Sequence, residues 1–391
     1  MLAHVGSLLE SGYEVDLVGG ARTPLPSILQ GASRLHVHVV DAGDSGRAGR
    51  LGVAVGMGIR GMRLAWRLAR TLVWEIPPPN VILMQVPPSL PTVPVAILAA
   101  RLRRATLIVD WHNLGWSVLA LRLGRKHALV RATRYAELVF GRRAHGHVAV
   151  SSVLSRWLGE RGMGEVAILH DGISSIRPFP PARTDLPRDP LVVVAPMGWT
   201  RDDDLPLLAE AIRILSVRID DGSGSRRALR LIVSGNGPVR DHWAPRLRAF
   251  GGGRVQIETP DVAADDYPML LATAHLGLSV HRSSSGMDLP MKVVEFRGVG
   301  LPVLALEDGS PLEEIAPPGC GVLRYRSGEE LAERLLTMFG EVDAETGLLA
   351  RLTGEARSHP PASWETEWTR VMGPLLPRPY EWRQTANGSG P

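Results

Sequence analysis

Short apolar runs alternate with helical patterns along almost the whole chain. In the first half these runs are Glu14–Gly19, Leu35–Val40, Val81–Gln85, Thr106–Asp110, His147–Ser151 and Val166–His170. In the second half they are Leu191–Ala195, Leu229–Ser234, Arg254–Glu258, Leu276–Val280 and Pro302–Ala305. Strands that are buried on both faces and separated by helices are typical of parallel sheets. The alternation therefore predicts an α/β fold of doubly wound sheets.

The alternation is interrupted at segment 173–190, which is rich in proline, serine and arginine and has no periodicity. A chain of 391 residues is also too long for one ordinary core. We therefore predict two Rossmann-like domains, 1–172 and 191–360, joined by this linker, with a ligand cleft between them. A C-terminal helix at 361–378 is expected to pack back, and 379–391 is expected to form a flexible tail.

Cysteine content and hydropathy exclude several classes of protein. The single cysteine, Cys320, rules out internal disulfides and suits a reducing compartment. The N-terminus lacks the order of basic, apolar and small residues that a signal peptide needs. The stretch that comes nearest to a membrane span, Val81–Ala100, is interrupted by four prolines, so we expect no spanning helix.

Charge is distributed unevenly along the chain. Up to Glu165 there are 20 Lys and Arg against 10 Asp and Glu, whereas the remainder has 24 against 30. This asymmetry indicates two domains with different partners. Nucleic acid is disfavoured, because aromatic residues make up only 5% of the chain and no recognition motif accompanies the arginines. An anionic membrane surface is the better candidate.

The segment Gly56–Glu75 has the pattern of a helix that could contact such a surface. Its arginines recur at intervals of three or four, so they share one helical face, opposite the apolar one. This is typical of an interfacial helix. A helix packed on the core with solvated arginines is the open alternative. The candidate acceptor and membrane contacts are Arg60, Arg63, Trp66, Arg67 and Trp74.

Three loops of the second half follow predicted strands and precede helices, where a doubly wound sheet presents ligand sites. They are Met197–Asp204, Ser234–Pro238 and His281–Gly286. The third has three serines and a glycine beside a helix start, which together offer unhindered hydroxyl and N–H groups to a diphosphate. The candidate donor-binding residues of these loops are Thr200, Gly235, Gly237, His281, Ser283, Ser284, Ser285 and Gly286.

Lys292 follows the serine loop, near the start of the next predicted helix. Only two of the 44 basic residues are lysines, and a lysine kept in such a chain is a candidate for a phosphate contact that needs a compact charge. Glu295 lies three residues later on the same helical face, where a carboxylate can accept the ribose hydroxyls of a nucleotide. The alternative is a chance lysine on the surface.

The triple aspartate Asp202–Asp204 has two interpretations. It could bind a metal ion, but its position at a predicted helix start favours N-capping. We therefore predict no dedicated metal site.

Blocks in both halves resemble the chitobiosyldiphosphodolichol β-mannosyltransferases. Those of the second half are Met197–Asp204, Ser234–Arg240, Thr259–Leu271 and His281–Glu295. The others are Gln85–Pro91, Asp110–Trp116, Tyr135–Arg142 and Trp364–Trp368. The resemblance runs from about residue 1 to residue 375.

This resemblance implies a GT-B fold and the transfer of mannose from GDP-mannose, with inversion, to a dolichol- or polyprenyl-diphosphate-linked chitobiose. It also implies a place on the cytosolic face of a membrane. No cofactor is implied, because GT-B enzymes hold the diphosphate with helix ends and basic side chains; a divalent cation is compatible with this.

The resemblance also implies donor-binding roles. In related GT-B transferases a glutamate at the position of Glu295 contacts the donor ribose, and the preceding loop holds the diphosphate. Many relatives add an arginine and a lysine after the first strand of the donor domain. The corresponding block here, Gly198–Asp203, lacks the lysine, which gives Lys292 more importance.

Inversion needs a base that takes the proton of the acceptor hydroxyl. Asp110 and His112 follow an apolar strand of the acceptor domain. Either residue could be the base, or one could orient the other. The alternative is that Asp110 caps the next helix and His112 packs against Trp111 or Trp116. Glu137, on a predicted helix, is interpreted as structural.

The chain departs from the family at its beginning. The family has a membrane-anchoring segment, a first strand and a glycine-containing loop before the helix in which this chain starts. The first strand is central in a Rossmann sheet, so its absence would leave interior backbone unpaired. Either the true start lies upstream or the acceptor domain is altered. Two other functions stay open. One is transfer of another sugar to another lipid-linked glycan, because the loops alone do not identify the donor base or sugar. The other is a non-catalytic partner or pseudoenzyme that keeps the donor fold without the first strand of the acceptor domain.

Overall fold

The computed structural model describes residues 1–20, 25–41, 50–176, 179–181, 190–220, 228–340 and 347–377. These residues form two compact units. Unit 1 contains 1–170, 174–176 and the described chain from Trp364 onward, and unit 2 contains 171–173 and the described part of 177–363. Much of the predicted linker and the whole predicted tail, 379–391, lie outside the described residues.

All six apolar runs of the first half are strands in unit 1. They are β1 (Val15–Gly19), β2 (Leu35–Val39), β3 (Val81–Val86), β4 (Thr106–Trp111), β5 (Gly146–Ala149) and β6 (Ala167–Ile168). They form a parallel pair, β1–β2, and a parallel sheet of order β3-β4-β5-β6. Among the described residues no ladder joins β1 to β3.

The helices of unit 1 begin with α1 (Leu2–Glu10), α2 (Arg50–Arg70), α3 (Thr92–Arg103), α4 (Gly115–Leu123), α5 (Ala128–Gly141) and α6 (Ser152–Leu158). The Arg-rich segment Leu119–Arg143 has a composition that predicts one long helix, and this prediction is wrong: the segment is divided between α4 and α5. Gly124 has a φ of +82°, in the left-handed region that favours glycine, and His127 caps α5 by accepting a hydrogen bond from the Leu129 N–H at 3.1 Å.

Unit 2 is a parallel sheet with helices between its strands. The strands are β7 (Leu191–Val194), β8 (Leu229–Ile232), β9 (Val255–Glu258), β10 (Leu276–Ser279), β11 (Val303–Leu306) and β12 (Val322–Tyr325). The helices are α7 (Leu205–Asp220), α8 (Arg240–Phe250), α9 (Tyr267–Ala272), α10 (Met291–Gly298), α11 (Gly328–Gly340) and α12 (Leu348–Ser358). Sequence reasoning missed β12.

The strand order of unit 2 is β12-β11-β10-β7-β8-β9. Strand β7 therefore lies between β10 and β8, and the chain winds away from it in both directions. Ligands bind in open α/β sheets at the carboxyl ends of the strands at such a switch point. The loops that follow β7 and β10 are Met197–Asp204 and His281–Gly286, so the topology brings these two predicted loops together.

The last helix, α13 (Trp364–Met372), belongs to unit 1. Its buried residues Trp364, Trp368 and Met372 share a core with Ile108 of β4 and Val148 of β5. The C-terminal end of the described chain therefore packs on the central strands of the four-stranded sheet.

Candidate active site

A buried carboxylate on β4 is held by two histidines. Asp110 is 2% exposed, and its Oδ2 lies 2.7 Å from Nε2 of His112 and 3.1 Å from Nε2 of His4 on α1. A carboxylate only accepts hydrogen bonds, so both ring nitrogens act as donors. The structure thus brings together the two predicted catalytic residues and adds His4, which sequence reasoning missed.

The three groups differ in charge and in access to solvent. Burial by itself would raise the pKa of Asp110, but the charge and hydrogen bond of His112, together with the hydrogen bond of His4, lower the pKa of Asp110 well below its ordinary value. Asp110 is therefore an anion. The His112 side chain is 21% exposed, whereas that of His4 is 1% exposed. His112 is thus the accessible member, and Asp110 orients it.

The alternative role for Asp110, capping the next helix, is wrong. Helix α4 begins at Gly115, and the N–H groups of Gly115 and Trp116 in its first turn bond to Glu137 rather than to Asp110.

By distance alone this group could be a metal site, since its ligand-type atoms lie within 4.8 Å of one another. The hydrogen bonds argue otherwise. Trp368 Nε1 donates to His4 Nδ1 at 2.9 Å, so Nδ1 carries a lone pair and the ring proton is on Nε2. A metal ion at Nε2 would have to displace that proton and leave an imidazolate. His4 therefore does not fit as a metal ligand through Nε2 while Trp368 donates to its Nδ1.

A second buried carboxylate, Glu137 on α5, lies at the start of α4. Ser89 donates its hydroxyl to Oε1, and Oε2 has no hydrogen-bond partner among the described residues. A Cβ on Gly115 would overlap both Ser89 and Glu137, so glycine is needed where α4 begins. Burial raises the pKa of Glu137 to about 7, against the effect of Ser89 and the N–H groups of Gly115 and Trp116. The buried contacts of Glu137 with Ser89 and with the start of α4 support a structural role for this residue.

The predicted interfacial helix is α2 with the turn that follows it. Trp66 and Trp74 are 62% and 66% exposed, with ring centroids 6.2 Å apart. Arg67 donates to the Asp41 carbonyl at 2.5 Å. Among the described residues, no helix is both long enough and apolar enough to cross a bilayer.

The arrangement of the exposed face of α2 differs from the prediction. Exposed apolar side chains lie beside the arginines rather than opposite them. The reason is their spacing: each directly precedes an arginine, so the two are only about 100° apart around the helix. The pairs are Ile59–Arg60, Met62–Arg63 and Trp66–Arg67.

In unit 2, Lys292 and Glu295 form the predicted pair on one face of α10. Lys292 Nζ lies 2.8 Å from Glu295 Oε2 and donates to the Tyr267 hydroxyl at 3.2 Å. Tyr267 in turn donates to Glu295 Oε2 at 2.5 Å. The expectation of a shared face is confirmed. Sequence reasoning missed Tyr267, although it is one of only five tyrosines and lies in a block used for the resemblance.

The serine loop is more self-contained than predicted. The Ser283 hydroxyl donates to the buried Asp288 carboxylate, and the Ser285 hydroxyl donates to it at 3.3 Å. The Gly286 and Met287 N–H groups donate to the Ser283 and Ser285 hydroxyls at 2.7 and 3.1 Å. These groups, predicted to be open to a diphosphate, bond within the loop because a buried carboxylate needs partners. The four predicted loop residues, Ser283, Ser284, Ser285 and Gly286, are all half-buried.

His281 lies among the carboxylates around this loop. Its Nε2 lies 2.9 Å from Asp288 Oδ2, and its Nδ1 lies 3.9 Å from Asp202. Burial would lower the pKa of His281, but Asp288, Asp202 and Asp203 together raise it. The surrounding aspartates thus stabilise the imidazolium form more than water does.

The remaining predicted donor residues have local structural partners. Thr200 donates its N–H to Asp203 Oδ2 at 3.0 Å. Asp204 Oδ1 accepts the Leu207 N–H at 3.2 Å, which confirms the capping interpretation of the triple aspartate. A Cβ on Gly235 or Gly237 would overlap the carbonyl oxygen of Met197 or Gly198, respectively. Both glycines therefore allow two loop backbones to pack closely.

Comparison with known sequences identifies glycosyltransferases. A family model described as glycosyl transferase-like matches residues 223–359. The chitobiosyldiphosphodolichol β-mannosyltransferase of Mus musculus is 28% identical, covering 97% of this chain and 88% of the mouse protein. That of Arthroderma benhamiae is 32% identical over 81% of this chain and 75% of its own. The UDP-glycosyltransferase TURAN of Arabidopsis thaliana is 31% identical over 78% and 79%.

Solved structures agree on the fold. HepE of Anabaena, crystallised with UDP-glucose, gives a TM-score of 0.60 over 92% of this chain and 99% of HepE, at 14% identity. The trehalose-6-phosphate synthase OtsA also gives 0.60, over 96% and 95%, at 10% identity. These similarities confirm the predicted GT-B fold with two Rossmann-like units.

Glu137 gives a testable pH dependence. Its folded pKa of about 7 lies above its ordinary value of 4.5, so its stabilising contribution is full below pH 4.5 and is lost as pH rises through 7. Glu137→Gln should remove this loss, which amounts to about 3 kcal/mol. Urea unfolding of both proteins across this range measures it.

The difference between the two proteins isolates Glu137 from His147, whose pKa burial lowers to about 4 and whose effect therefore has the opposite sign. Equal pH slopes in wild type and Glu137→Gln would contradict the assignment.

Proposed function

The chain belongs to the chitobiosyldiphosphodolichol β-mannosyltransferase family, and we propose that its donor is GDP-mannose and its acceptor a dolichol- or polyprenyl-diphosphate-linked chitobiose. The observation that carries the proposal is the 32% identity, over 81% of this chain, to a protein of that name. The product has a β-1,4 linkage formed with inversion. A UDP-sugar donor is the second candidate, because the Arabidopsis relative is named a UDP-glycosyltransferase.

Unit 2 binds the donor in this proposal. Glu295 Oε2 already takes the Tyr267 hydroxyl and the Lys292 ammonium, so we assign the second carboxylate oxygen, Oε1, to the ribose hydroxyls. Lys292 contributes its charge to the diphosphate, with the start of α10 and the serine loop beside it. This assignment needs no cofactor.

Unit 1 supplies the base. The acceptor hydroxyl gives its proton to His112 while its oxygen bonds to the anomeric carbon from the face opposite the diphosphate. The bond from that carbon to the diphosphate oxygen breaks, and GDP leaves with the electron pair. Asp110, kept anionic by its two histidines, stabilises the imidazolium that forms.

We place the protein at the cytosolic face of a membrane, which is that of the endoplasmic reticulum in a eukaryotic cell. The acceptor is a lipid, and α2 exposes tryptophans beside arginines, a combination that suits an anionic interface. Basic residues near such a surface contribute attraction that salt screens.

Replacing Lys292 tests donor binding. Lys292→Ala should weaken GDP-mannose binding by about 1.5–3 kcal/mol, because a charge-assisted contact is lost. Titration calorimetry with GDP-mannose and UDP-glucose measures this and ranks the two donors. Lys126→Ala is the matched control, since it removes the other lysine, an exposed one in unit 1. Equal affinity in both variants would remove Lys292 from the site, and tighter UDP-glucose binding would favour the second donor.

Replacing the base tests the chemistry. His112→Ala and Asp110→Asn should each lower kcat by about 10²- to 10⁴-fold at saturating donor, because proton transfer or its orientation is lost. The assay follows mannose transfer to polyprenyl-diphosphate-linked chitobiose. His36→Ala, which removes an exposed histidine of the same unit, is the control. Near-normal turnover in both site variants would mean that the base lies elsewhere.

Replacing the exposed tryptophans tests membrane contact. Trp66→Ala combined with Trp74→Ala should reduce binding to vesicles containing anionic lipid by at least about tenfold, because two large apolar side chains are lost. Co-sedimentation measures it. Val217→Ala, which shortens an exposed apolar side chain of unit 2, should bind as the wild type does. Unchanged binding of the double variant would exclude α2 as the contact.

A further inference from the structure

A continuous chain of hydrogen bonds links the C-terminal helix to the proposed base. Trp368 Nε1 on α13 donates to His4 Nδ1 at 2.9 Å, and His4 Nε2 on α1 lies 3.1 Å from Asp110 Oδ2. The same oxygen lies 2.7 Å from His112 Nε2. Trp368, His4 and Asp110 are 3%, 1% and 2% exposed. Only the last member, His112, has appreciable exposure.

The chemistry of the groups fixes where the protons lie. An indole N–H donates and never accepts, so His4 Nδ1 must hold a lone pair. A histidine with a lone pair on Nδ1 and a partner at Nε2 is neutral and carries its proton on Nε2. His4 can then give only a neutral hydrogen bond to Asp110. The negative charge of the carboxylate is thereby left to pair with the charge that His112 gains on taking a proton.

We propose that Trp368 and His4 are positioning residues, which hold Asp110 in the one orientation and charge state in which it can direct His112. This role rests on the proposed base function of His112. With Nε2 of His112 donating to Asp110, the lone pair of the neutral ring lies on Nδ1, which we assign as the nitrogen that takes the acceptor proton.

A second hydrogen bond joins the same two helices, and it argues that the Trp368 bond does more than hold α13 against α1. Trp364 Nε1 on α13 donates to Ser7 Oγ on α1 at 3.0 Å. That bond joins α13 to α1 as the Trp368 bond does, but it does not reach the carboxylate. The two tryptophans are equally buried, at 3%. The Trp364 ring also packs edge-on against His4, with centroids 5.1 Å apart, a contact that a phenylalanine ring can retain. The two tryptophans therefore form a pair in which only Trp368 donates a hydrogen bond to His4.

Other titratable groups on the surrounding elements belong to separate contacts. His147 Nδ1 on β5 accepts the Trp111 indole N–H at 3.1 Å, and Glu137 lies under the start of α4 with Ser89. Within the described residues, His4 and His112 are the groups hydrogen-bonded to Asp110. A change in the pH profile that follows a change at Trp368 is therefore assigned to this chain of residues.

The test compares Trp368→Phe with Trp364→Phe in the full-length protein. Each keeps a buried ring and loses one indole N–H. Trp368→Phe should lower kcat by about 10- to 100-fold, with the KM for the donor unchanged, because the base is misdirected. It should also move the acid limb of the kcat–pH profile, since His4 is free to take a second proton and compete for Asp110. Trp364→Phe should change neither.

Variants at His4 test whether its two hydrogen bonds are needed for turnover. A glutamine amide can accept the Trp368 N–H and donate to Asp110, whereas phenylalanine can do neither. His4→Gln should therefore retain more turnover than His4→Phe, at comparable melting temperature. Nitrogen-15 NMR of the imidazoles reads the proton positions without turnover. Several histidines accept hydrogen bonds at Nδ1, so the His4 signal is first identified by its absence from the spectrum of His4→Gln. That signal should show an unprotonated Nδ1 in the wild type and should change in Trp368→Phe but not in Trp364→Phe.

The outcomes distinguish the base function of His112 from the positioning role of Trp368 and His4. If His112→Ala keeps full activity while the NMR signature of His4 depends on Trp368, the proposed base is wrong and the hydrogen-bond chain is present without that role. Equal kinetic effects of Trp368→Phe and Trp364→Phe would overturn the positioning role. So would a protonated Nδ1 on His4 in the wild type.

Discussion

An ionised carboxylate inside a protein has to be hydrogen-bonded, because an unpaired buried charge is far too costly. Asp110 satisfies this requirement with one nitrogen from His4 and one from His112. The consequence extends through unit 1, since the carboxylate is on a central strand, His4 is on the first helix and Trp368, on the last helix, fixes the proton of His4. The two ends of the described chain therefore meet at the residue that orients the proposed base, and the packing of α1 and α13 is tied to the geometry of the site.

The carboxylates of unit 2 are also hydrogen-bonded, but to different kinds of partner. Glu295 is paired with the Lys292 ammonium and the Tyr267 hydroxyl at one oxygen, and Asp288 takes the serine hydroxyls and His281. Anionic groups thus lie where we propose that an anionic nucleotide binds. The positive charge of Lys292 offsets them in part, and the same aspartates raise the pKa of His281. In the proposed function, these basic groups reduce the repulsion between the carboxylates and the diphosphate.

Sequence reasoning reached the fold because parallel strands buried on both faces are short and apolar, and their order leaves few topologies open. It also reached the Lys292–Glu295 pair, since two residues three apart on a helix share a face whatever surrounds them. It failed where one residue decided the local backbone. A single glycine, Gly124, ends α4 within a segment whose composition reads as continuous helix. The spacing of the arginines in α2 likewise predicted that they share one face. It did not predict that the exposed apolar side chains would lie beside the arginines.

The partners of the site were beyond sequence reasoning for a different reason. His4 and Asp110 are 106 positions apart, and Trp368 is 364 positions from His4, so no local pattern relates them. A histidine in an apolar helix and a tryptophan in a C-terminal helix each have an ordinary interpretation as core residues. Only the fold, by bringing α1 and α13 onto β4, turns two core side chains into a polar chain that ends on a carboxylate. Local spacing can thus nominate the acid and the histidine beside it, whereas the groups that set their charge and direction come from tertiary structure.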